Sequence, residues 1–187
     1  LELAARARTI PGLPEDLAGG LNTVATFQSP QMSFPNGCHV CEVEIDPDTG
    51  AVEIAGYSSV NDVGRVVNPM VVVGQLEGGA AQGIGQALCE RVVYDRESGQ
   101  LLTGTFMDYA LPRASMIRHF AMTMDESTPS KNNHLGVKGV GELGTIGATP
   151  AVVNAVLDAL ARAGLGSRAD ALQMPFTPER VWRALQG

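Results

Sequence analysis

Five glycines fall between residues 136 and 147, with a single carboxylate among them. The segment reads Gly136-Val137-Lys138-Gly139-Val140-Gly141-Glu142-Leu143-Gly144-Thr145-Ile146-Gly147-Ala148-Thr149-Pro150. Glycine at this density means that the backbone turns sharply or comes close to something. Glutamate suits such a loop poorly unless its carboxylate has a task or a cation. A Thr-Pro pair follows, which opens a helix and leaves unpaired N–H groups nearby. A loop built for close approach, one acid and a helix start together predict a site.

Bulk properties bound what kind of site it can be. The 187 residues suffice for one domain with a real core, and such a chain buries about 70% of its unfolded surface. We read residues 1–187 as a single domain. A net charge of −7 and a pI near 4.9 make nucleic acid and anionic membranes poor partners for the surface as a whole. No apolar run reaches the length of a membrane span, so none is expected. The three cysteines, Cys38, Cys41 and Cys89, are an odd number. That argues against a disulfide framework and for a reducing, cytoplasmic location. Cys38-His39-Val40-Cys41 has C-x-x-C spacing, but it lies in an alternating strand pattern and lacks a second ligand pair, so no metal site is expected from the side chains. The chain begins without an initiator Met and reads as a piece of something longer.

The local pattern predicts an α+β fold with antiparallel or mixed sheets made from hairpins, packed with a few helices. Residues 1–36 are rich in loops, with a short strand over Leu21–Phe27. His39–Ile45 and Ala51–Val60 flank the turn Asp46-Pro47-Asp48-Thr49-Gly50. Arg91–Tyr94 and Leu101–Phe106 flank a matching turn, Asp95 to Gly99, which predicts a second hairpin in the same antiparallel system. Ile117–Met124 is a further strand candidate. Pro69 to Leu88 carries Val72, Leu76, Ala80, Ile84 and Leu88 at helical spacing. Its five glycines each cost about 1 kcal/mol against alanine, which makes sense only where the helix packs tightly on something. A second helix is predicted with Thr149 as N-cap, Pro150 in its first turn and Gly164 at its end. A third starts at Thr177-Pro178 and carries Val181, Trp182 and Leu185.

Several residues could carry chemistry. Gly139-x-Gly141-x-x-Gly144 fits a dinucleotide fingerprint, but no strand precedes it and no acid follows at the required distance. A carboxylate held in a tight, partly dry loop can act as a general base, which singles out Glu142; a turn cap or a pair with Lys138 is the plainer role. Gln75 and Gln82 lie two turns apart on one helix face, where they bind either a neighbouring loop or a heterocycle. Lys138 neutralises Glu142 or an anion, or is simply solvated. His39, His119 and His134 show no ligand spacing.

Taken together, the ordered motifs resemble one family. They are Asp62-Val63-Gly64-Arg65-Val66-Val67-Asn68-Pro69, Gly74-Gln75-Leu76-Glu77-Gly78-Gly79-Ala80-Ala81-Gln82-Gly83-Ile84-Gly85 and Lys138-Gly139-Val140-Gly141-Glu142. Phe106-Met107-Asp108-Tyr109-Ala110-Leu111-Pro112 and Thr177-Pro178-Glu179-Arg180-Val181-Trp182 complete the set. This resembles the C-terminal molybdopterin-binding part of the xanthine dehydrogenase/aldehyde oxidase family, most of all the large subunit of aerobic-type carbon monoxide dehydrogenases. The resemblance implies a molybdenum hydroxylase acting on an aldehyde, an N-heterocycle or a CO-like substrate with oxygen from water. It implies a molybdopterin, in bacteria often the cytosine dinucleotide form, whose own sulfurs hold the metal. Glu142 matches the family's base, which takes the proton from the metal-bound hydroxyl. Gln75, Val140, Gly141 and Lys138 fall at cofactor-binding positions. Partners would be the remainder of the subunit and the iron–sulfur and FAD subunits or domains. Purine-oxidising members follow the glutamate with two prolines, and here Leu143-Gly144 follow, which argues against xanthine. A chain this short holds the base and only part of the cofactor cage, so alone it should be inactive. The alternative is a catalytically silent α+β scaffold derived from the same fold.

Overall fold

The computed structural model describes residues 2–7, 9–12, 14 and 24–186. By contacts the chain divides into two compact units, Leu1–Gln31 and Met32–Gly187. Among the described residues the first holds one short helix, α1 (Glu2–Ala7), with an exposed Arg6–Glu2 pair at 3.2 Å and the Thr9 hydroxyl donating to Arg6 O at 3.0 Å. The predicted strand over Leu21–Phe27 does not form in its described part, residues 24–27; residues 21–23 lie outside the described residues.

The second unit is α+β. Strands β1 (Asn36–Ile45) and β2 (Val52–Asp62) make the expected antiparallel hairpin, with Ala55 as an extra residue on β2 between the Glu42–Gly56 and Val43–Ile54 pairs. Its turn is held by Asp46, whose carboxylate accepts from the N–H groups of Asp48 and Thr49 at 2.8 and 3.3 Å. Strand β3 (Ala121–Met124) is shorter than the predicted one and pairs parallel to β2, so the sheet is mixed, in the order β1-β2-β3. The second hairpin forms only its turn. Asp95 holds Glu97 and Ser98 in the same way, but the flanks meet at a single bridge, Tyr94–Leu101. The reason is packing: Val92, Tyr94 and Leu102 are half exposed or more, and a hairpin without a buried face does not extend.

Helix α2 (Pro69–Leu88) has the predicted bounds, with Asn68 as its N-cap accepting from Val71 N. Helix α3 (Leu143–Arg162) starts six residues before the expected Thr149 cap. The glycines allow this. A Cβ on Gly144 would sit 2.4 Å from Leu76 O, and one on Gly83 would sit 2.8 Å from Ala148 Cβ. With hydrogen in place of a side chain, the first turns of α3 lie directly on α2. Thr145 and Thr149, one turn apart, then donate hydroxyl hydrogen bonds to Gly79 O at 2.9 Å and Gly83 O at 3.2 Å. Thr149 therefore joins two helices instead of capping one. Pro150 lies inside α3 on its exposed side and forgoes only the bond its N–H would make to Ile146 O. Gly164 ends the helix as predicted, with φ at 82° and Leu165 N on Leu160 O at 3.0 Å.

The core lies between these layers. Ala80, Ile84, Ala87 and Leu88 of α2 meet Ala148, Val152, Val156 and Leu160 of α3, and Ile54 and Tyr57 close it from the sheet. Two short helices, α4 (Gly166–Ala169) and α5 (Pro178–Gln186), add Ala169 and Val181. Helix α3 is long and apolar enough to cross a membrane by length and composition, although the sequence shows no unbroken apolar run of that length. Its fully buried stripe from Ala148 to Leu160 belongs to this core, as in any central helix of a folded domain.

Candidate active site

The end of β2 anchors the glycine run. Arg65 N donates to Gly136 O at 2.9 Å, and Lys138 N donates to Val63 O at 2.8 Å. A Cβ on Gly64 would sit 2.1 Å from Gly136 O, so this junction admits only glycine there. The chain then runs through Val140 and Gly141 to Glu142, which stands at the N-cap position of α3.

The Glu142 side chain does not cap α3. Nor does it meet Lys138, whose ammonium is 2.5 Å from Asp62 Oδ2 in a pair that is largely buried. Of the roles open to Lys138 in the sequence, the pair with Glu142 is therefore not the one formed. Burial tends to raise the Asp62 carboxyl, but the Lys138 hydrogen bond and charge and the Gly64 N–H outweigh it and hold it below its usual range. The loop is also wetter than expected, because Glu142 is exposed in this chain.

Glu142 lies on the wall of a cleft of about 630 Å³ lined by Phe34, Gly37, His39, Val140 and Ile146 among others. Lys138 lines a neighbouring groove of about 180 Å³ with Val67 and Val71, and Val140 borders both. The structure thus brings Val140, Gly141 and Glu142 together, sets Lys138 next door, and leaves Gln75 apart from both. Gln75 is exposed on α2 beside Gly74 and Gly78, where an added Cβ would meet nothing within 4 Å. Gln82 turns to α3, with its Oε1 3.2 Å from the Thr145 hydroxyl.

Sequence reasoning missed His39. Strand alternation puts His39, Cys41, Val43 and Ile45 on one side, which faces α3, and Cys38 on the other. Cys38 and Cys41 therefore point to opposite faces and cannot share a metal ion. Burial, helped by the charge on Glu42, pushes the Cys41 thiol up to about 11, which also disfavours the thiolate a metal needs. The His39 ring packs on α3 so closely that a Cβ on Gly147 would lie 2.6 Å from it. His39 Nδ1 is 2.6 Å from the Tyr57 hydroxyl, and its buried Nε2 has no hydrogen-bond partner among the described residues. Burial lowers the imidazole below its ordinary value, against a smaller opposing effect from Asn61. Burial thus favours the neutral ring. Alternation alone could have identified it as an inward-facing histidine.

The comparisons with known proteins bear on the family and the fold. Residues 3–118, more than half of the chain, match a family described as the molybdopterin cofactor-binding domain. Over its full length the chain is 38% identical to the gamma subunit of the 6-hydroxypseudooxynicotine dehydrogenase complex of Paenarthrobacter nicotinovorans, of which it covers 23%. It is 41% identical, over 93% of its length, to the nicotine 6-hydroxylase large subunit of the same organism, of which it covers 21%. A crystal structure of the Cu,Mo-CO dehydrogenase superposes with a TM-score of 0.84 at 33% identity, over 96% of this chain and 22% of that one. The chain thus spans about a fifth of the length of the relatives it matches. It belongs to the molybdopterin cofactor-binding domain family.

Proposed function

We propose that this chain is the part of a molybdenum hydroxylase large subunit that carries the catalytic base, Glu142. One observation supports this above the others. The carboxylate sits on a cleft wall at a helix start, yet it serves neither as a cap nor as a counter-ion for Lys138. Neither structural role that the sequence offered for it is filled.

The residues present fit a molybdopterin. At Gly74 and Gly78 beside Gln75, and at Gly139 and Gly141 beside Glu142, an added Cβ meets nothing within 4 Å. These backbone stretches can therefore take a flat group at contact distance. Gln75 would offer an amide, Val140 and Gly141 the backbone, and Lys138 the N–H donors left over from Asp62. When bound, the cofactor, here in its cytosine dinucleotide form, supplies a metal held by its own sulfurs and two-electron redox chemistry. Glu142 orients an oxygen nucleophile and takes its proton onto a carboxylate oxygen as that oxygen is delivered to the substrate carbon. The neutral His39 ring, wedged against Gly147, fixes the first turn that carries Glu142. Phe34 and Ile146, both more than two-thirds exposed, give the cleft flat apolar walls. Such walls favour an N-heterocycle or an aldehyde over carbon monoxide. The remainder of the subunit and iron–sulfur and FAD partners complete the enzyme, in the cytoplasm.

Molybdenum analysis and pterin fluorescence on the complete subunit, purified with its partners, test this. One metal per subunit is expected, with oxidation of a pyridine-type ring or an aldehyde. Absence of both metal and pterin would identify a silent scaffold instead.

A further inference from the structure

The face of the sheet beneath α3 carries a column of polar groups. The register pairs Cys41 with Tyr57, His39 with Ser59 and Gly37 with Asn61, so alternation puts all six residues on that face. His39 thus lies diagonally between Tyr57 and Asn61, within side-chain reach of both. Ser59 and Asn61 are the buried polar side chains among the described residues, and Asn61 is fully covered. Asn61 Nδ2 donates to Ser59 Oγ at 2.8 Å and to Thr123 O at 3.4 Å, which uses both its hydrogens. Asn61 Oδ1 and His39 Nε2 are the buried side-chain polar atoms left without a partner among the described residues. Buried polar atoms in a native core are paired as a rule, and each of these two can supply what the other lacks. Asn61 also raises the imidazole against burial, as an acceptor beside a ring N–H does. Both atoms lie under the start of α3. A Cβ on Gly37 would stand 3.3 Å from Asn61 Oδ1 and 3.5 Å from Leu143 Cδ1, so Leu143 covers that amide across a glycine. Ile146 N donates to Glu142 O at 3.0 Å, which ties the Glu142 backbone to the same turn.

We infer that Asn61 and Tyr57 hold His39 as its Nε2–H tautomer, and that the ring so fixed is a positioning residue for Glu142. This rests on the reading given under Proposed function. Nδ1 accepts from the Tyr57 hydroxyl, which burial keeps protonated, and Nε2–H donates to Asn61 Oδ1. The opposite tautomer would set two acceptors against each other. Asn61 cannot turn its amide to meet that tautomer without giving up Ser59 and Thr123. The ring is therefore pinned at both nitrogens. Its face, packed on Gly147, sets where the first turn of α3 lies, and Glu142 with it.

Nitrogen NMR of the histidine-labelled complete subunit, purified with its partners, tests the tautomer. A protonated Nε2 and a bare Nδ1 are expected for His39; a bare Nε2 would overturn the inference. Turnover tests the positioning. His39→Leu at wild-type molybdenum content should lower kcat by about 10²-fold with little change in KM. His39→Gln, which returns an N–H near the place of Nε2, should restore most of it. In a Glu142→Gln background, His39→Leu should lower turnover no further, because the ring acts only through that carboxylate. Unchanged kcat in His39→Leu, or a fully additive loss in the double variant, would overturn the inference and leave Glu142 as the base. Where His39→Leu takes up no molybdenum, Tyr57→Phe, which removes one hydroxyl, replaces it with the same expectation of non-additivity. Unchanged turnover in Glu142→Gln alone would instead sink the base reading, and the nitrogen signals would still decide the tautomer.

Discussion

At the scale of single residues, the structure decides which acid Lys138 meets. Asp62 takes the lysine and Glu142 is left without it. The Asp62–Lys138 pair is 17% and 10% exposed at its two side chains, so removing one partner strands the other in poor solvent. Asp62→Asn should cost roughly 3 kcal/mol at pH 7, the lower end for a buried pair. The pH dependence has a defined sign. The folded carboxyl lies below its unfolded value near 4, so its contribution is full above that value and is lost as pH falls through the folded one. Urea unfolding of wild type and variant should therefore give midpoints that converge below about pH 4; a gap that widens in acid would contradict the pairing. Glu142 stands out in the sequence because a carboxylate among glycines is chemically odd, whereas Val140 and Gly141 are singled out only through the resemblance to the family. His39 does not stand out, because a histidine between two cysteines invites a metal reading and hides its inward direction.

At the scale of elements, glycine decides where helices may touch. Gly144→Ala gains about 1 kcal/mol of helix propensity but drives a methyl into Leu76 O, and overpacking of that kind costs up to roughly 3 kcal/mol. A net loss near 2 kcal/mol is expected in chemical denaturation. Gly78→Ala, on the open side of α2, meets nothing and should stabilise the chain by about 0.5–1 kcal/mol. If both variants moved stability in the same direction, backbone contact between α2 and α3 would not be the reason for the glycines. Helix α2 was legible because its apolar spacing and its Asn68-Pro69 start agree. Helix α3 was only half legible. Thr149-Pro150 carries a strong start signature, and tertiary contact through Gly144 and Gly147 overrides it. The second hairpin failed for a related reason: its turn residues are right, but nothing covers its flanks.

At the scale of the whole molecule, the proposed function gives the chain one wall of a site. Glu142 is exposed and Gln75 faces solvent, on a chain about a fifth as long as its relatives. The purified 187-residue chain should accordingly show no turnover and no stoichiometric molybdenum; full activity from it alone would refute the division of the site. The resemblance visible in the ordered motifs carried the family, and the fold agrees over nearly the whole chain. The substrate was not legible, because the cleft walls on this chain are apolar and set its shape without naming a ring. Replacing Glu142 by Gln in the complete, partnered subunit tests the central claim most directly, because the amide keeps the shape and removes the base. Turnover should fall by about 10²–10⁴-fold while molybdenum content stays at the wild-type level. Unchanged turnover at full metal occupancy would contradict the assignment of Glu142 as the base.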